Sequence, residues 1–96
     1  KVTCTPRATT DRELIFSDLD ARSPDGARAV MKRLQQAIEH LKIQPLDGRL
    51  TDIEGVRVLF VGKYPYKIFY TVDYETLTIL HIRHTAQQTI GFKDVA

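Results

Sequence analysis

Cysteine is nearly absent from this chain. Cys4 is the only one in 96 residues, so no internal disulfide can form and no cysteine cluster can hold zinc. Long apolar runs are missing as well. Nothing approaches the ~18 consecutive apolar residues that span a bilayer, and no charged–apolar–small signal segment opens the chain. The expectation is a cytoplasmic protein with no membrane partner. Its first residue is Lys1 rather than Met, which is consistent with a trimmed start. There is no phosphate-binding glycine loop, no dinucleotide glycine pattern and no strand-turn nucleophile elbow. The sequence also shows no repeats, linker or low-complexity tract. A large charge surplus is absent too: 14 Lys and Arg against 12 Asp and Glu leave a net charge of +2. That is too little to mark a nucleic-acid partner by itself.

What is present is ordinary globular material, 43% hydrophobic and 27% charged, in a length that supports one core. A single domain over residues 1–96 is expected. Val2 to Thr5 reads as a short first strand, with Pro6 ending it or sitting at its edge. Thr10-Asp11-Arg12-Glu13 fits a capping box, so a first helix is expected from there to about Ala21. Its buried stripe would be Leu14, Ile15 and Leu19. Ser23-Pro24 is an N-cap followed by a proline at the first helical position. The helix it opens carries Ala27, Val30, Met31, Leu34, Ala37, Ile38 and Leu41 on one face at helical spacing. Pro45 stops it. So short a joint makes the two helices an antiparallel hairpin.

Residues 45–55 read as a connection. From Val56 the period becomes two. Val56–Val61, Tyr66–Val72 and Leu77–His84 are expected strands, joined by turns at residues 62–65 and 73–76 into an antiparallel meander. Residues 85–96 show no period and read as a tail. The fold class expected is therefore α+β in two layers. An N-terminal strand and an antiparallel helix hairpin would pack on an antiparallel sheet ending in a three-stranded meander. Val30, Leu34, Ile38 and Leu41 should meet Ile68 and Tyr70.

Charge separates the two halves of the chain. Residues 1–48 mix eight basic with seven acidic groups. Between residues 57 and 84 the cations are Arg57, Lys63, Lys67 and Arg83, and the acids, Asp73 and Glu75, share a turn. Two readings stand: long basic side chains that block edge pairing, or a face for an acidic partner or for phosphates. Tyr64, Tyr66, Phe69, Tyr70 and Tyr74 interleave with Lys63 and Lys67, as in sheets that stack bases. The favoured reading is that half of these rings are core, with Tyr70 and Ile68 sharing a face that meets the long helix. His81 and His84 are three apart on a strand, so alternation separates them and no metal site is expected. Asp18, Asp20, Asp52 and Glu54 read as solvated surface.

The order of Ser23-Pro24-Asp25-Gly26-Ala27, Leu41 with Pro45, Gly48-Arg49 and Gly55-Val56-Arg57-Val58-Leu59 is informative. So are Tyr64-Pro65-Tyr66-Lys67-Ile68-Phe69-Tyr70 and Ile79-Leu80-His81-Ile82-Arg83-His84. Together they resemble the RelE/ParE toxin superfamily of bacterial toxin–antitoxin modules, over about residues 10–85. The pattern is closest to the ParE branch, also called plasmid-stabilisation proteins. The resemblance implies a toxin that poisons DNA gyrase and is neutralised by a cognate antitoxin in a hetero-oligomer, without a cofactor. Arg49, Arg57, Lys63, Lys67 and Arg83 would meet antitoxin or target.

The same resemblance implies two alternatives: a ribosome-dependent endonuclease of mRNA, or a non-toxic antitoxin-binding module. A nuclease would use Arg57, Lys67, Arg83 and His84. RelE-like members carry two lysines where Arg57 and Leu59 stand, an arginine at Lys67, and an arginine and a tyrosine near Ala86 and Phe92. Gln87 and Gln88 occupy places where ParE-like members often carry a basic residue. These departures favour the gyrase expectation by elimination.

Overall fold

A computed structural model describes residues 1–85. It contains β1 (Val2–Cys4), α1 (Pro6–Arg22), α2 (Pro24–Ile43), β2 (Arg49–Leu50), β3 (Val56–Phe60), β4 (Tyr66–Asp73) and β5 (Thr76–His84). The five strands form one sheet in the order β1-β5-β4-β3-β2. The meander is antiparallel as expected, and β1 adds a parallel pair along β5. The expected tail lies outside the described residues apart from Thr85.

The long stripe behaves as its spacing requires. Val30, Leu34, Ala37, Ile38 and Leu41 of α2 share one buried cluster with Ile68 and Tyr70 of β4 and Ile79 of β5. Ser23 caps α2, its hydroxyl accepting from the Gly26 N–H at 3.1 Å, and this one residue joins the helices.

The first helix differs from expectation. It begins at Pro6, not near Thr10, and Thr5 is its N-cap, accepting from the Ala8 N–H at 3.0 Å. Pro6 therefore opens a helix rather than closing a strand; its missing N–H would be unpaired at that position anyway. Thr10 to Glu13 lie inside the helix. The longer helix adds Ala8 to the buried side, where Ile15 and Leu19 pack against the core as expected. Leu14 is turned about 100° from Ile15 and is 64% exposed.

The 45–55 connection also holds more order than expected. Arg49 and Leu50 pair with Val58 and Arg57 as β2. Tyr70 anchors the approach to it: its phenol donates to the Pro45 carbonyl at 2.8 Å and accepts from the Gly48 N–H at 2.9 Å. A Cβ on Gly48 would lie 2.5 Å from that phenol oxygen, so only glycine permits the approach.

Burial holds the Tyr70 phenol above its usual 10.0, opposed by the Gly48 N–H and by Arg57. Burial likewise raises Tyr66, against the lowering effect of Arg22. Unfolded phenols ionise near pH 10 while the folded ones resist. Their stabilisation is therefore complete below that pH and is lost as pH rises through the folded values. Urea unfolding from pH 8 to 11 should show this decline, and Tyr70→Phe should make it shallower. An unchanged slope would count against the buried phenol as its source.

Candidate functional site

Alternation divides the meander into two faces. Tyr66, Ile68 and Tyr70 point to the helices, while Val56 and Phe69 form a second cluster with Ile53, Val58 and Leu80 on the other side. Lys67 is on that second side and is 7% exposed. It pairs across strands with Phe60 and Arg83, and its ammonium sits 5.6 Å from the Phe69 ring centre. Arg49 lies opposite Val58, with its guanidinium 5.7 Å over the Phe60 ring. The register thus brings Arg49, Lys67 and Arg83 to one face.

Arg57 is on the other. It faces Tyr70 and donates to the carbonyls of Gly48 at 2.8 Å and Leu46 at 3.3 Å. Lys63 stands in the β3–β4 turn, 5.6 Å over Tyr64. His84 is exposed opposite Tyr66, its ring edge-on to that tyrosine at 5.7 Å. Arg57 and His84 share the helix-facing side but are four residues apart along β4, roughly 13 Å. Arg57, Lys67 and His84 therefore do not converge on one place, although Arg83 and His84 both border the groove beside α1. Nor do the rings form one platform: Tyr66, Phe69 and Tyr70 are buried, while Tyr74 is 98% exposed at a hairpin tip.

A second constellation had no local signal in the sequence. The β4–β5 register pairs Phe69 with His81 and then Tyr70 with Ile79, skipping Leu80 as a bulge. β1 pairs with β5 only as far as Ile79. Beyond that point side chains take over the strand edge. The Thr5 hydroxyl donates to the Leu80 carbonyl at 2.9 Å. One carboxylate oxygen of Asp11 accepts from the Ile82 N–H and from His81 Nδ1, both at 3.1 Å. His81 is 2% exposed. Since a carboxylate only accepts, Nδ1 carries the proton in this contact. Asp11 is 70 residues from His81, too far for any spacing rule to connect them.

Beside this pair a groove of about 600 Å³ runs between α1 and the end of β5, lined by Arg7, Asp11, Leu14, Tyr66, Arg83 and His84 among others. Among the described residues no group of three or more His, Cys, Asp or Glu could hold a metal ion. No described helix is long and apolar enough to cross a membrane. The positions of Ala86, Gln87, Gln88 and Phe92 lie outside the described residues.

Residues 2–89 match the family described as ParE toxin of type II toxin–antitoxin system, parDE. The chain belongs to the ParE toxin family. It is 29% identical over 92 residues to the candidate toxin Y4kP of Sinorhizobium fredii (strain NBRC 101917 / NGR234), covering 94% of this chain and 96% of that one. Its fold is similar to a solved chain of the chromosomal ParDE TA system from P. aeruginosa. The TM-score is 0.78 at 21% identity, over 88% of this chain and 94% of the other. Membership makes this ParE-family chain the toxin component of a type II module, a class defined by a partner antitoxin. The resemblance read from motif order is thereby shown.

Proposed function

We propose that this ParE-family toxin inhibits DNA gyrase through protein–protein contact, and that a cognate antitoxin neutralises it in a hetero-oligomer in the cytoplasm. The observation that supports gyrase over message is the scatter of the nuclease candidates. Arg57 is engaged by loop carbonyls, Lys67 and Arg83 are on the opposite face, and His84 stands apart from Arg57. Phosphoryl transfer without cations gathered around the phosphate loses most of its electrostatic stabilisation. A lone histidine supplies only about 100- to 10,000-fold.

The test pairs two assays of the purified chain. Gyrase supercoiling should be inhibited, or cleaved DNA trapped, while cell-free translation proceeds unchanged. His84→Ala and Arg57→Ala should leave translation equally untouched. Codon-specific cleavage of ribosome-bound message, lost in His84→Ala, would replace the gyrase reading with the endonuclease. Inactivity in both assays alongside antitoxin binding would leave a non-toxic binding module.

A further inference from the structure

The β4–β5 hairpin closes with a two-residue turn, Tyr74-Glu75, between Asp73 and Thr76, which pair as the last rung of the ladder. Tyr74 has φ +51° and is the one non-glycine residue with positive φ among the described residues. Hairpin turns normally place Gly, Asn or Asp at such a position, because in that region a Cβ crowds the neighbouring carbonyl. For a bulky side chain the conformation is an outlier. The ring gains nothing from the fold in return. It belongs to neither core cluster, and at 98% exposed it packs on no neighbour. Strain kept at a residue that the core does not need points to a role outside the core.

The tip is also braced. The Lys1 nitrogen donates to the Glu75 carbonyl at 2.8 Å, and the Leu77 N–H donates to the Lys1 carbonyl at 2.8 Å. Tyr74 lies beyond the last β3–β4 rung, Val56 with Thr71, so the tip projects from the sheet. Asp73 and Glu75 are exposed on either side of the ring. Among the described residues no ion pair engages either carboxylate.

We infer that Tyr74 is the anchor by which this toxin engages gyrase. The ring enters an apolar pocket on the enzyme, and Asp73 and Glu75 meet basic groups on the pocket's rim. The inference rests on the gyrase reading above and adds which part of the chain makes the contact and what chemistry receives it. Tyrosine suits the role because it offers a large apolar area and one hydroxyl with few rotatable bonds. A braced turn also loses little entropy on docking. Stacking on a DNA base suits the tip less well, because the two carboxylates beside the ring repel phosphates. Tyr66 and His84 stand at the opposite end of the same strand pair, roughly 23 Å from Asp73 along β4, so the groove beside α1 takes no part in this contact.

The experiment uses the full chain and the gyrase holoenzyme of the host bacterium. It measures affinity, inhibition of supercoiling and urea unfolding for each variant. Tyr74→Asn keeps a residue that tolerates the left-handed turn and removes the ring. It should raise the folded-to-unfolded ratio about fivefold while weakening inhibition by about 30-fold or more. Tyr74→Phe keeps the ring and should retain inhibition. Asp73→Asn with Glu75→Gln should weaken affinity severalfold and flatten its salt dependence. If wild type inhibits gyrase and Tyr74→Asn inhibits within twofold of it, the anchor falls while the gyrase reading stands. If wild type does not inhibit, the gyrase reading falls and takes the anchor with it. A Tyr74→Asn variant no more stable than wild type would show an unstrained turn and remove the reason to give the residue a role. Lost affinity for the co-encoded antitoxin, with inhibition intact, would assign the tip to that partner instead.

Discussion

Leu34→Ala is expected to remove about 2–5 kcal/mol of unfolding free energy. Leu34 is fully buried, midway along α2, in the cluster that includes Ile38, Ile68 and Tyr70. Truncation loses the transfer free energy of the removed atoms and leaves a cavity that a helix held against a sheet cannot easily close. For a domain of this size the melting temperature should fall by roughly 8 °C or more. That is a large fraction of the 5–15 kcal/mol typical of natural domains, so the variant is best studied with urea from a cold start. Leu14→Ala is the matched control. Its side chain is mostly exposed, and such surface changes stay within about 0.5 kcal/mol. Circular dichroism melts in urea would decide the matter. Comparable losses in the two variants would show that α2 does not organise the core as described.

The contrast between those two leucines shows where the sequence was readable. The α2 stripe repeats over 20 residues, enough to fix both the element and its buried face. The strands of the meander were legible because period two persists and short polar turns separate them; their observed bounds differ from expectation by about one residue. The start of α1 was misplaced because two capping signals competed. Thr5-Pro6 repeats the chemistry of Ser23-Pro24, and a helix nucleated there runs straight through the later Thr10–Glu13 box. The earlier start adds Ala8, which at 100° per residue lies within about 20° of Ile15 and Leu19, whereas Leu14 lies about 100° from Ile15 wherever the helix begins. The short β2 went unread because a two-residue strand has no period to detect. Its place is set by Tyr70 reaching Pro45 and Gly48, contacts that cross more than 20 residues.

The cations were legible as a group but not as an arrangement. Strand parity correctly puts Lys67 on the face opposite Ile68 and Tyr70. Whether Arg57 joins it depends on the β3–β4 register, which sequence alone does not set; pairing with Tyr70 sends it to the other side, where carbonyls engage it. A helix that starts at Pro6 also lies along the end of β5. The same shift turns Asp11 from part of a cap into the partner of a strand edge.

Asp11→Ala should therefore be the most damaging change of a polar side chain, costing about 2–4 kcal/mol. The carboxylate is the acceptor for two donors, the Ile82 N–H and His81 Nδ1, and His81 is almost wholly buried. Deleting an acceptor while leaving its donors behind costs more than the bonds themselves contributed, about 1–3 kcal/mol for each donor stranded. Asp11→Asn keeps one carbonyl oxygen, which can serve Ile82 but not both donors well, and should cost about half as much. Hydrogen exchange supplies the local readout. In Asp11→Ala the Ile82 amide should lose protection while Ile68 in the core keeps it, because α1 no longer closes the end of β5 where β1 stops. A variant with undiminished stability and a still-protected Ile82 would mean that the strand edge is satisfied by something other than Asp11. In that case the wall of the groove would not depend on this carboxylate.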